Sequence, residues 1–292
     1  MENTIIFPNL HITLTNVGKS ISVFGFEIAF YGIIIAIGMI LGSSIIMKNA
    51  KKQGYKEDDF LDIIIWSLVL GVIGARAYYV VFSWNLYKND LLSIFNLRQG
   101  GLAIYGGILA GILTAFIVCK LKKIPFLKAA DVCILGLPVG QAIGRWGNFF
   151  NREAFGDYTN NLFAMQIPLS RVRTMDDVSQ TMLDHVQTIG NTAFISVNPT
   201  FLYESVWSVG VFIFLMIMRR HLKFNGEAVL LYLITYGAGR FWIEGLRTDQ
   251  LILFNTGIPV SQLLAACLVA FGFVMLLIGF NKGKKSKGKY SK

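Results

Sequence analysis

Apolar residues in this chain are gathered into long blocks rather than spread at the short periods of a soluble core. Seven blocks stand out, at about 21–47, 60–84, 101–119, 129–147, 200–218, 228–246 and 259–280. Each is close to the ~20 predominantly apolar residues that an α-helix needs to cross a bilayer. Pro199 and Pro259 stand just before the fifth and seventh blocks, where a helix start tolerates proline. Pro138 falls inside the fourth and predicts a kink there. The pattern predicts an all-α polytopic membrane protein of seven transmembrane helices, forming a single domain over 1–292. One sizeable polar insertion, 148–199, separates the fourth and fifth blocks. Within it "LFAMQIPLS" and "NTAFISVNP" read as short strands of a small head. No second soluble domain and no internal repeat is expected.

The composition agrees. The chain is 54% hydrophobic and 15% charged, against about 45–50% and 25% for a soluble globular protein. Its mean hydropathy is +0.56. The net charge of +10 invites a nucleic-acid reading until the charges are located. Seventeen of the 27 lysines and arginines lie in 48–59, 120–128, 219–227 and 281–292, and seven in 1–20, 85–100, 148–199 and 247–258. The rich and poor segments alternate, as seven spans require, and basic loops stay in the cytoplasm. The N-terminus is therefore expected outside and the C-terminus inside. Segment 148–199 becomes an extracytoplasmic head, and 281–292 a disordered basic cytoplasmic tail near anionic lipid. Nucleic acid is not an expected partner. The first block is too long for the core of a signal peptide and reads as a retained helix.

Three arginines remain, Arg76, Arg145 and Arg240, all inside apolar blocks. A charge at such depth costs at least about 2.5–3.5 kcal/mol on insertion scales. Arginine's planar fork matches phosphate bidentately. The set is read as a cavity for an anionic headgroup. The competing explanation is pairing with the acids available in the blocks: Glu27, Asp62, Asp131, Glu204 and Glu244. Around Arg145, "GRWGNFFNREAFG" adds Asn148, Asn151, Glu153 and several glycines at a helix exit. On the sixth block Tyr236, Arg240 and Glu244 share one helical face, and Arg247 follows three residues on. Tyr105, between paired glycines in "RQGGLAIYGGILAG", and Tyr31 in "FYG" are either cavity hydroxyls or interfacial aromatics. Cys119, Cys133 and Cys267 form no CxxC, and the histidines lack metal-site spacing. No metal and no cofactor is expected. Neither a GxSxG elbow nor a P-loop is present, which argues against a serine hydrolase and an ATP-driven enzyme.

"GRWGNFFNREAFG" resembles the signature of the prolipoprotein diacylglyceryl transferases. "FYG", "GGLAIYGG", "NPTFLYE" and "YGAGRFWIEGLR" occur in that family's order, so the resemblance spans nearly the whole chain. It implies an enzyme of the bacterial cytoplasmic membrane with two substrates, phosphatidylglycerol and prolipoprotein signal peptides bearing a lipobox cysteine. The diacylglyceryl group passes to the cysteine thiol, a thioether forms and glycerol phosphate leaves. By the same resemblance Arg145 binds the lipid phosphate. Asn148, Glu153 and Gly156 shape its pocket. Arg240, with Tyr236 and Glu244, forms a second wall and helps the leaving group, Arg247 is a further substrate-binding candidate, and Tyr31 lines the cavity. The chain departs from the family at two places: many members carry histidine where it has Tyr105 and Asn198. Tyr105, with its pKa depressed by an arginine, Glu153 or an arginine-bound phosphate oxygen is left to take the thiol proton, unless the arginines simply lower the thiol's own pKa. A transporter or flippase for an anionic lipid would use the same arginines without chemistry. Such proteins often show inverted repeats, which the blocks here lack.

Overall fold

The computed structural model describes residues 2–97, 100–254 and 256–289, with side chains described as far as residue 282. The described residues are mostly helical and fall into two compact units. One runs to Gly42 and resumes at Ile134; the other is Ser43–Cys133. Among them, five helices are long and apolar enough to cross a membrane, or six if a bent pair counts as one span. This is the build of a polytopic membrane protein.

The helices follow the apolar blocks. α1 is Phe30–Lys52, α2 Glu57–Phe82 and α3 Ile104–Leu121. Lysines close α1, and Glu57, Asp58 and Asp59 open α2, each matching the helix dipole. The fourth block is broken into α4 (Phe126–Cys133) and α5 (Leu137–Asn151), bent by 43°. The kink expected from Pro138 thus sits just ahead of the proline, which occupies the first turn of α5. After a short helix, α6 (Gln180–Asp184), come α7 (Thr200–Met218), α8 (Glu227–Glu244) and α9 (Val260–Lys289). The tail expected to be disordered is helical as far as Lys289, and its last residues, 290–292, lie outside those described. Arg98 and Gln99 of "RQGG" also lie outside them.

In the first unit α1 meets α5 through glycines. A Cβ on Gly42 would lie 2.8 Å from the Gly136 carbonyl oxygen, and one on Gly38 3.3 Å from that of Gly140. Two small-xxx-small faces let the backbones touch, which is how helices associate where the hydrophobic effect cannot drive them. α5 packs on α7, α7 on α8, and α8 on α9.

The all-α expectation needs correction, because seven strands are present among the described residues. Ile5–Phe7 (β1), Ile12–Leu14 (β2), Met165–Pro168 (β5), Gln187–Ile189 (β6) and Thr192–Val197 (β7) form an antiparallel sheet of order β2-β1-β5-β7-β6. The two strands read in the 148–199 insertion are β5 and β7. The N-terminal strands were missed, since runs of three residues show no measurable alternation. Ile5, Ile167 and Ile195 are fully buried beneath this sheet and pack with Phe149 and Phe201 at the ends of α5 and α7. Residues 20–29, read as the start of the first span, instead form a hairpin of Ser20–Val23 (β3) and Phe26–Ala29 (β4).

Candidate functional site

Glu204 lies one turn into α7 and is 5% exposed. Its carboxylate is the point where three guanidinium groups meet. Arg145 reaches it from α5, with Nη2 2.6 Å from Oε2. Arg240 reaches it from α8, its Nη1 donating to both oxygens at 3.1 Å. Arg247, just past the end of α8, brings Nη1 to 3.6 Å. Arg240 also pairs with Glu244 at 2.5 Å, one turn along its own helix. Arg247 donates twice to Asp249, at 2.9 and 2.6 Å. Three cations and three carboxylates thus form one nearly neutral, half-buried network. The carboxylate network answers the cost of burying arginine. It also shows that the three guanidinium groups can converge on a single two-oxygen acceptor, the geometry that a phosphate presents.

Asp249 lies beyond α8. Burial pushes its carboxyl up, but the hydrogen bonds and charge of Arg247 outweigh that and hold it below the usual carboxylate range.

The rim is built by backbone. Asn148 and Asn151, at the end of α5, both donate to Glu153 Oε1, at 2.9 and 3.2 Å, while Arg173 holds Oε2. The chain then turns through Gly156, whose N–H donates to the Asn198 carbonyl at 2.9 Å and which also bridges to Arg247. A Cβ there would lie 2.6 Å from the Leu246 oxygen and 2.8 Å from the Asn198 Cβ. Only glycine lets these three segments meet. Asn198 itself donates its side-chain amide to the Asp157 carbonyl at 3.0 Å. Where the resemblance would put a histidine, the amide serves as a loop clamp.

Tyr31 packs against Gly147, where a Cβ would lie 2.5 Å from its ring. Tyr236 stacks on Tyr232 with ring centroids 5.2 Å apart, and the Tyr232 hydroxyl accepts from Gln141 at 2.7 Å. Tyr105 opens α3 and belongs to the other unit.

Arg145, Arg240, Glu244 and Arg247 are therefore brought together, and Asn148, Glu153 and Gly156 form one connected loop. Arg76 has partners of its own. It lies in the second unit and donates to the carbonyls of Ser93, Ile94, Asn96, Gly100 and Gly101, with the Tyr87 ring 5.0 Å away. Glu204 was counted among the acids but not placed in the site. The signal was there, since a carboxylate inside an apolar block is as costly as an arginine.

A model of the family described as prolipoprotein diacylglyceryl transferase matches residues 19–278. The phosphatidylglycerol–prolipoprotein diacylglyceryl transferase of Clostridioides difficile (strain 630) is 47% identical over 232 residues, covering 80% of this chain and 84% of that protein. Its counterpart in Finegoldia magna is 42% identical over 262 residues, covering 89% and 94%. That of Staphylococcus xylosus is 40% identical over 253 residues, covering 86% and 85%. The family match extends over the helices that carry the arginine–carboxylate network, and the chain belongs to the prolipoprotein diacylglyceryl transferase family.

Proposed function

We propose that the chain transfers the diacylglyceryl group of phosphatidylglycerol to the lipobox cysteine of prolipoproteins. The carrying observation is the convergence of Arg145, Arg240 and Arg247 on the Glu204 carboxylate, inside a membrane protein of this family. The thiol loses its proton, because the thiolate is the nucleophile. Its sulfur attacks the glycerol carbon that bears the phosphate. A C–S bond forms, the C–O bond breaks, and the electron pair stays on phosphate, which leaves as glycerol phosphate. A singly charged diester becomes a more highly charged monoester. Arginines already aimed at one acceptor stabilise that growing charge without rearranging.

In this reading Arg145 binds the phosphate and Arg240 stabilises the leaving group. Arg247, Glu244 and Tyr236 complete the wall, while Asn148, Gly156 and Tyr31 shape the pocket. Tyr105, Glu153 or a phosphate oxygen takes the thiol proton, or the arginines lower the thiol's pKa enough that no dedicated base is needed. Both oxygens of Glu153 are occupied by donors, which counts against Glu153. Full activity in Tyr105→Phe would leave the phosphate oxygen and the arginines.

The spans are α1, α2, α3, the α4–α5 pair, α7, α8 and α9. α8 is counted among them despite Glu227, Arg240 and Glu244, because Glu227 accepts from the backbone N–H groups of Lys223 and Phe224 and Arg240 pairs with Glu204 and Glu244. The N-terminus and residues 148–199 lie outside the bacterial cytoplasmic membrane and the C-terminus inside, in keeping with the distribution of lysine and arginine.

The test uses purified protein, phosphatidylglycerol and a lipobox peptide. Mass spectrometry should find a thioether-linked diacylglyceryl peptide, reduced at least a hundredfold in Arg145→Ala. Lipid moving between the leaflets of vesicles with no modified peptide would favour the flippase reading and sink this one.

A further inference from the structure

A groove with a volume of about 540 Å³ runs down the outer face of α7 and α8 beneath Phe163. Leu202 and Tyr203 form its upper end and Phe214 its lower end, with Val206 and Gly210 between them. Tyr203 and Leu202 lie on the same turn of α7 as Glu204, so the groove begins at the level of the arginine cluster along that helix. From residue 202 to 214 an α-helix rises about 18 Å, close to one leaflet of a hydrocarbon core about 30 Å thick.

Polar atoms of the lining are turned away from its interior. The Thr235 hydroxyl donates to the Leu231 carbonyl at 2.8 Å, and the Trp207 indole to the Thr235 carbonyl at 2.9 Å. The Tyr203 hydroxyl is engaged by Asn161 at 3.2 Å and by Asn198. An extended peptide would leave backbone groups without partners against such a wall, at several kcal/mol each. A hydrocarbon chain would not.

Gly210 supplies an independent observation. It lies mid-helix, where glycine costs roughly 0.5–1 kcal/mol relative to alanine. A Cβ built on it meets nothing within 4 Å. Its helical backbone does not require glycine, and no neighbouring atom presses against it. What glycine does here is keep the groove open.

We propose that this groove holds one acyl chain of the anionic lipid donor, and that Gly210 sets how long a chain is accepted. The inference rests on the transferase reading for its donor and goes beyond it in assigning chain selection to α7. With the headgroup at the arginines, the chain enters beside Tyr203 and descends past Val206 to Phe214. Phenylalanine at 210 closes the lower half and leaves the upper half open.

The experiment is a competition. Equal amounts of dilauroyl and distearoyl phosphatidylglycerol are offered with a lipobox peptide, and the two products are counted by mass. Gly210→Phe should move the ratio at least tenfold toward the short-chain product. Ile213→Phe, which adds bulk to α7 outside the groove, should leave it at the wild-type value. An unchanged ratio in Gly210→Phe, or the same shift in both variants, overturns the proposal. If the wild type modifies no peptide, the transferase reading fails and the groove is read directly. Phosphatidylglycerol with a photoactivatable acyl chain should then label residues 202–214, and Gly210→Phe should abolish that labelling. Labelling that persists in Gly210→Phe, or that comes instead from a photoactivatable peptide, overturns it.

Discussion

Glu204 shows how one residue can organise several. It is buried, and three arginines from three segments aim at it. Removing one partner of a buried ion pair is worth about 3–5 kcal/mol, because the remaining charge is left uncompensated. Glu204→Ala should lower unfolding stability in detergent by about that amount. Glu204→Gln, which keeps the shape and one acceptor oxygen, should lose less. Equal stability in Glu204→Ala and wild type would mean that the cluster is held by something else. The arginines were legible in the sequence because charge inside an apolar block is conspicuous. Their common focus was not, because it depends on α7, whose position relative to α5 and α8 is a tertiary fact. Arg76 shows the same limit: its depth is legible along the chain, and the carbonyls its guanidinium serves are not.

At the scale of elements, the helix blocks were found to within a few residues, apart from the start of the first and the end of the last, where α9 runs on to Lys289. There the apolar face of a hairpin, Ile21, Val23, Phe26 and Ile28, was continuous in sequence with α1. Hydropathy cannot separate a short apolar ribbon from a helix start; the Phe24–Gly25 turn does, both residues having positive φ. The rim depends on a similar local device. Gly156→Ala would push a methyl group into the Leu246 carbonyl and Asn198. Both neighbours are held in the junction, so the strain should cost about 1–3 kcal/mol. Activity should fall in Gly156→Ala even when the protein is assayed well below its melting temperature, because Arg247 is bridged to that residue. Full activity there would make the junction incidental to the site.

For the whole molecule, the alternation of basic and basic-poor loops makes a prediction that coordinates alone do not. With Cys119, Cys133 and Cys267 replaced by serine, single cysteines can report sidedness. Phe24→Cys, at the hairpin tip, should react with an impermeant maleimide on intact cells. Gln53→Cys, in the turn after α1, should react only after permeabilisation. The reverse pattern would invert the proposed orientation. Polytopic character was plain from composition, whereas the sheet was half hidden, because its N-terminal strands come from a segment too short to carry a periodic signal.

The grip of Arg76 on the backbone of residues 93–96 and 100–101 has a consequence for motion. One guanidinium serves five carbonyl oxygens, so that backbone cannot loosen one bond at a time without crowding or breaking the others. Its opening should be cooperative, a single rare event rather than a gradual fraying. Lysine carries three donors at one point, too few for five acceptors. In Arg76→Lys, hydrogen exchange over residues 91–103 should become at least tenfold faster and lose its all-or-none character. The same exchange rates as wild type would show that this backbone holds itself. A segment that moves as one body between two spans is a latch, and in this chain its keeper is a single side chain.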